Sequence, residues 1–234
     1  MNFLTKIENY LDASYPAIFV TTHEESRILR ELTSLEKPSN DITVHLWDAQ
    51  FGLARKASSD KLVLRAFTDR DTPEEELHLG KHAHPADTRG AAELLKYLQD
   101  YKGSRCVFVL KDFHRHFDNV LVIRLMRNLW IHLKNKQNMI VFTGHKFSVP
   151  PELQKEIQYL DYDLPGDQDI EERLKYIYNG ANAAYQAARN KELPPLTQDI
   201  SDAAVEAAKG MTDGEIENAF AMAWQVSKNF NTEF

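Results

Sequence analysis

Three groups of side chains in this sequence have the types and spacing to do chemistry. Lys111, Asp112, His114 and His116 crowd into the run KDFHRH, directly behind an apolar stretch. His114 with Asp112 forms a candidate acid–base pair, and His23 supplies an imidazole able to join them. No serine or cysteine nucleophile accompanies them in a recognisable motif. His78, His82 and His84, with Asp87, are zinc-ligand types. They sit in a charged, unpatterned stretch without cysteines, where exposed loop histidines are common, so no metal site is expected. Arg115, Arg124, Arg127, Lys134 and Lys136 make a basic run around one helix. Most such runs are solvated faces; an acidic partner or nucleic acid is the other use. One Gly-Lys pair exists, Gly80-Lys81, but His82 follows it and no strand precedes it, which argues against a phosphate loop.

The elements that must position these groups follow from periodicity. Phe3, Leu4, Ile7 and Leu11 recur at helical spacing and stop before Pro16. AIFVTT, from Ala17 to Thr22, predicts a buried strand. Ile28, Leu29 and Leu32 share a helix face, and ITVHLWD, from Ile42 to Asp48, predicts a second strand. KLVLRAFTD suggests an edge strand or hairpin inside an insertion, and residues 74–89 read as loop. TRGAAELLKYLQDY is a helix with Thr88 as its expected cap. CVFVLKDF, a helix from Asn119 to Asn135, the strand NMIVFTG, a short helix PELQKEI and the strand YLDYDLP complete the series. Short apolar strands alternating with helices predict an α/β fold with a mostly parallel five-stranded sheet covered by helices on both faces.

Beyond Pro165-Gly166 the strands cease. Three helical segments follow, with Gly210 closing the second and Thr212 and Glu215 spaced as a capping box for the third. The expected division is an α/β domain over residues 1–165 and a small all-helical subdomain over 166–234. Trp130 and Trp224 fall on apolar helix faces and read as core or interface.

Composition narrows the class. The chain has 234 residues, 43% of them hydrophobic and 27% charged, with net charge −7, a poor footing for gripping nucleic acid through its phosphates. No apolar run is long enough to span a membrane, and the charged start MNFLTKIENY does not read as a signal peptide. A single cysteine, Cys106, excludes an intramolecular disulfide. A cytoplasmic or plastid-stroma-like compartment is expected.

The order of elements resembles that of AAA+ ATPases. VFVLKD (Val107 to Asp112) lies where that family has its Walker B strand. MIVFTGHKFSVPPEL is similar to the sensor-1 strand and the segment after it, and YLDYDLPGDQDIEERLKYI to the last strand and first lid helix. GMTDGEIENAFAMA looks like the lid's Gly-x-Ser/Thr-x-x-Glu/Asp segment. Tyr15-Pro16, Thr21 to Glu25 and Lys111 to His114 more specifically resemble the N-terminal half of the tandem AAA ATPases of cyanobacteria and plastids. That resemblance implies an AAA+-like domain that has lost its phosphate loop, joined to a second half carrying the ordinary motifs. The chain is then expected to be the first part of a larger protein, which would bind ATP and magnesium through its other half.

The family's motifs also identify which roles are vacant. A phosphate loop needs Gly-x-x-x-x-Gly-Lys-Ser/Thr, because only glycines let backbone N–H groups wrap the phosphates. After the first strand this chain reads Thr21, Thr22, His23, Glu24, Glu25, with no glycine or lysine and with two acids that repel polyphosphate. The Walker B acids correspond to Lys111 and Asp112, and an ammonium opposes a magnesium ion there. Lys111 is expected to pair with Asp112, or alternatively to stand in for the metal. Thr143-Gly144 occupies the sensor-1 place, and Lys155 is the one positive charge where an arginine finger belongs, without the guanidinium fork.

The function expected is a degenerate, non-hydrolysing AAA+-like module serving assembly or regulation of a larger AAA ATPase. Its partners would be a C-terminal AAA+ domain, other subunits or copies of itself in a ring, without nucleic acid or membrane. The alternative is an unusual nucleotide-binding domain using Lys111, Asp112 and His114.

Overall fold

The computed structural model describes residues 2–37, 39, 41–55, 87–146 and 148–227. It divides into two compact units, Met1–Tyr162 and Asp163–Phe234. In the first, helix α1 (Phe3–Asp12) precedes β1 (Ala17–Thr21), α2 (Glu25–Thr33), β2 (Thr43–Asp48) and β3 (Gly52–Arg55). Helix α3 (Ala91–Asp100), β4 (Cys106–Lys111), α4 (Val120–Lys136), β5 (Met139–Gly144) and β6 (Ile157–Asp161) follow.

The strand order is β3-β2-β4-β5-β1-β6. β1, β2, β4, β5 and β6 run parallel, as the alternating pattern predicts, so their carboxyl ends share one edge. Neighbouring residues of β4 face opposite ways. Phe108 and Leu110 join a core with Trp47, Phe142, Leu94 and Leu129, whereas Val107 and Val109 join Ile18, Ile28, Leu32 and Val141 on the other side. Burial on both faces is what makes the strand continuously apolar. Each fully buried aromatic contributes on the order of 2–3 kcal/mol by leaving water.

The sixth strand, β3, was not expected. It pairs antiparallel with β2 at the sheet's edge. Asp48 Oδ1 accepts bonds from the amides of Gln50 and Phe51, at 3.0 and 2.8 Å, and Gly52 takes φ +76° to complete the turn. Thr88, the expected helix cap, belongs to this hairpin instead. Its hydroxyl accepts the Leu53 amide at 2.7 Å, and its carbonyl accepts Trp47 Nε1–H at 2.6 Å. Gly90 occupies the N-cap of α3. Residues 151–156 form turns, not the expected short helix, with the Leu153 amide bonded to the Pro150 carbonyl at 3.0 Å. The edge strand or hairpin expected in KLVLRAFTD lies outside the described residues.

The second unit packs α5 (Asp167–Arg189), α6 (Gln198–Ala208) and α7 (Asp213–Ser227) around Ile170, Leu174, Ala208, Ile216 and Phe220. Gly210, at φ +85°, follows the end of α6, and Thr212 and Glu215 form the expected capping box. Arg173 forks onto Asp213, tying the first helix to the third. No helix among the described residues is long and apolar enough to cross a membrane.

Candidate functional site

The carboxyl edge of the sheet collects the candidate residues at the ends of β1, β4 and β5. Strand register does this: Thr21 pairs with Gly144, and Lys111 with Thr143. Backbone bonds continue past the strands, from the Thr22 amide to the Gly144 carbonyl at 3.0 Å and from the Asp112 amide to the Thr143 carbonyl at 2.9 Å. Thr143 itself is buried.

The turn between β1 and α2 is closed by side chains. Thr22 Oγ1 accepts the Glu24 amide at 2.8 Å, and the buried Glu24 carboxylate holds Arg27 at 2.8 Å. Arg27 also lies over the Tyr162 ring, 4.8 Å from its centre, and the Tyr162 hydroxyl donates to Glu31 at 2.7 Å. Burial, reinforced by that hydrogen bond and the Glu31 charge, keeps the phenol from ionising well beyond its ordinary range. Thr21 Oγ1 is buried without a hydrogen-bond partner among the described residues.

Lys111 does not take Asp112 as its described partner. The strand ends by entering a left-handed residue, Asp112 at φ +52°, which starts a 3-10 turn over Phe113–His116 and leaves Asp112 exposed. Lys111 Nζ instead reaches Glu25 Oε1 at 3.0 Å, in the first turn of α2, and Asp48 Oδ2 at 3.1 Å, at the end of β2. Asp48 thus uses one oxygen to shape the β2–β3 turn and the other to hold the lysine. A polyphosphate approaching the N-terminus of α2 meets Glu24 and Glu25, and finds the nearby ammonium already bound to two carboxylates. Helix N-termini favour anions, but here the acids of the first turn supply that charge themselves.

The histidines meet one strand further along. His114 and His145 have ring centres 5.9 Å apart, and His23 faces His145 at 6.2 Å. Asp112, His114 and His145 each offer a ligand atom, all within 4.8 Å of one another. Gly144 makes room for this: a Cβ there would come 2.6 Å from His114 Cε1 and 2.7 Å from its Nδ1. His114 Nδ1 is buried without a hydrogen-bond partner among the described residues. Its pKa falls below the ordinary 6.5, chiefly through burial; Asp112 opposes the shift, and Arg115 and His145 add to it. Arg115 lies 3.5 Å from His145 Nε2.

The expected site residues therefore separate into two sets. Thr21, Thr22, Glu24 and Lys111 belong to the closed corner, while Asp112, His114 and His23 face the end of β5. His116 packs against Trp47 and Phe113. Lys155 is exposed, and Trp130 is core. His78, His82, His84 and Gly80-Lys81 lie outside the described residues. Sequence reasoning missed Asp48 and His145. The available signal was position: both stand at or just past the ends of predicted parallel strands, where open α/β sheets gather their functional groups.

Two proteins named as uncharacterized AAA domain-containing protein ycf46 are similar in sequence. The one from Trieres chinensis is 24% identical over 201 residues, covering 86% of this chain and 36% of that protein. The one from Guillardia theta is 24% identical over 234 residues, covering 100% of this chain and 39% of that protein. The chain thus spans a little over a third of the length of these curated relatives. Among solved structures, RuvB of Thermotoga maritima has the same fold at a TM-score of 0.50 and 12% identity, covering 98% of this chain and 64% of that one. The model of the SpoVK-like AAA ATPase N-terminal domain matches residues 3–162, and this chain belongs to that family.

Proposed function

We propose that this chain is a non-hydrolysing AAA+-like domain that acts as an assembly or regulatory module of a larger ATPase. The observation carrying this reading is the place of Lys111, bound to Glu25 and Asp48 beside a β1–α2 turn with no glycine. Phosphate binding there would require breaking both ion pairs and would still lack the backbone cradle. The length of the relatives supports placing hydrolysis in another part of the polypeptide.

A surface for packing against that part, another subunit or a second copy in a ring is available on α4. Val120, Leu121 and Ile131 are exposed there, with Arg124 and Arg127 exposed beside them. Apolar side chains rimmed by arginines suit a protein partner. The net charge of −7 is a poor match for nucleic acid.

Calorimetric titration with ATP, with and without magnesium, tests the reading. No saturable binding is expected in either case. Micromolar binding abolished by Lys111→Ala would overturn it in favour of a nucleotide site built from Lys111, Asp112 and His114. Light scattering of the chain mixed with the remainder of its polypeptide tests the assembly role, for which a stable complex is expected.

A further inference from the structure

We propose that Asp112, His114 and His145 form a binding site for one zinc-class divalent cation, tying the turn after β4 to the end of β5. The three groups come from both strand ends and offer ligand atoms within 4.8 Å of one another. Zinc bonds of about 2.0–2.1 Å place tetrahedral ligands roughly 3.4 Å apart, so a modest side-chain closure brings them into range. Asp112 and His145 are exposed and free to make that movement; His114 is the anchored member.

Two further observations point to a ligand here. His114 Nδ1 is buried without a hydrogen-bond partner among the described residues, so the imidazole is only partly satisfied within the fold. The position beneath the ring is occupied by Gly144, and any side chain there would displace the imidazole from its place beside His145.

The donor set selects the ion. Two imidazoles and one carboxylate suit zinc, cobalt and nickel, whereas magnesium and calcium prefer all-oxygen surroundings. This site is therefore separate from the magnesium chemistry of nucleotide hydrolysis. Water would complete the coordination, or His23, whose ring lies 6.2 Å from that of His145. Arg115 opposes binding, with its guanidinium 3.5 Å from His145 Nε2. Its side chain is exposed to water, where the displaced guanidinium would be solvated.

Chelator-stripped chain titrated with cobalt(II) by visible absorption, without nucleotide, tests the site. One equivalent is expected to give saturable d–d bands that zinc then removes. His145→Gln and Asp112→Asn, both at exposed positions, should each weaken cobalt binding at least tenfold. His114→Gln should do the same where it folds. A variant with His78, His82 and His84 all changed to Ala should bind as the parent does. Absence of saturable bands, their survival in both His145→Gln and Asp112→Asn, or their loss in the triple variant would overturn the proposal. None of these outcomes depends on whether ATP binds, so the experiment stands or falls apart from the pseudo-ATPase reading.

Discussion

At one corner of the sheet's carboxyl edge, Lys111 is held by Glu25 and Asp48, and Glu24 by Arg27, beneath a turn whose hydroxyl is already accepting an amide. At the next corner, Asp112, His114 and His145 converge, with a ring nitrogen of His114 left without a hydrogen-bond partner among the described residues. Both corners stand on parallel strands buried on both faces, so the framework does not distinguish them. The difference lies in what terminates each strand. β1 runs into a helix whose first turn brings its own acids, whereas β4 and β5 end in a left-handed aspartate and a glycine that leave room for imidazoles. The same sheet edge thus carries an ion-paired corner and a histidine-lined one side by side.

The sharpest way to break the contrast is to remove the cation from the closed corner. Lys111→Met leaves the mostly buried Asp48 without its ion pair, and should cost about 2–3 kcal/mol in urea unfolding. Combining it with Asp48→Asn should recover part of that loss, a coupling that a double-mutant cycle measures.

Next in size is Gly144→Ala, which fills the space under His114. A loss of about 1–2 kcal/mol is expected from overpacking, together with a several-fold fall in cobalt affinity although every proposed ligand remains. Tyr162→Phe removes the hydroxyl donated to Glu31 and should cost about 1 kcal/mol, without any change in cobalt binding.

The smallest effect concerns acidity. Because the folded state lowers the His114 pKa below 6.5, the unfolded chain takes up this proton first as pH falls. Its contribution to stability is therefore intact above 6.5 and declines as pH drops from 6.5 toward the folded value, with no further loss below that. Thermal unfolding followed from pH 7.5 to 5 should show a shallower decline in His114→Gln than in the parent.

Much of this organisation is legible in the residues themselves. The alternation of apolar strands with amphipathic helices carries the parallel sheet, and the Thr212–Glu215 box and Gly210 mark helix ends because caps are local chemistry. The short strand GLAR escapes notice because its pairing rests on Thr88, distant in the chain, and on the Asp48 turn. PELQKEI carries helix-forming residues, yet hydrogen-bonded turns closing on Pro150 and on Leu153 suffice to bring Leu153 into the core. At the site, the lack of a Gly-x-x-x-x-Gly-Lys-Ser/Thr run after β1 can be read directly. The partners of Lys111 cannot, because neither Glu25 nor Asp48 adjoins it in sequence and their meeting depends on where two other strands and a helix begin and end. His145 was hidden for the same reason: its neighbour His114 comes from a different strand.

The double hold of Thr88 on Trp47 and Leu53 has a practical consequence. It fastens both strands of the β2–β3 edge to the residue that leads into α3, like a single stitch through two hems. Thr88→Val, which removes the hydroxyl contact to Leu53 and keeps the carbonyl that holds Trp47, should therefore loosen the β2–β3 edge while the five parallel strands keep their alignment.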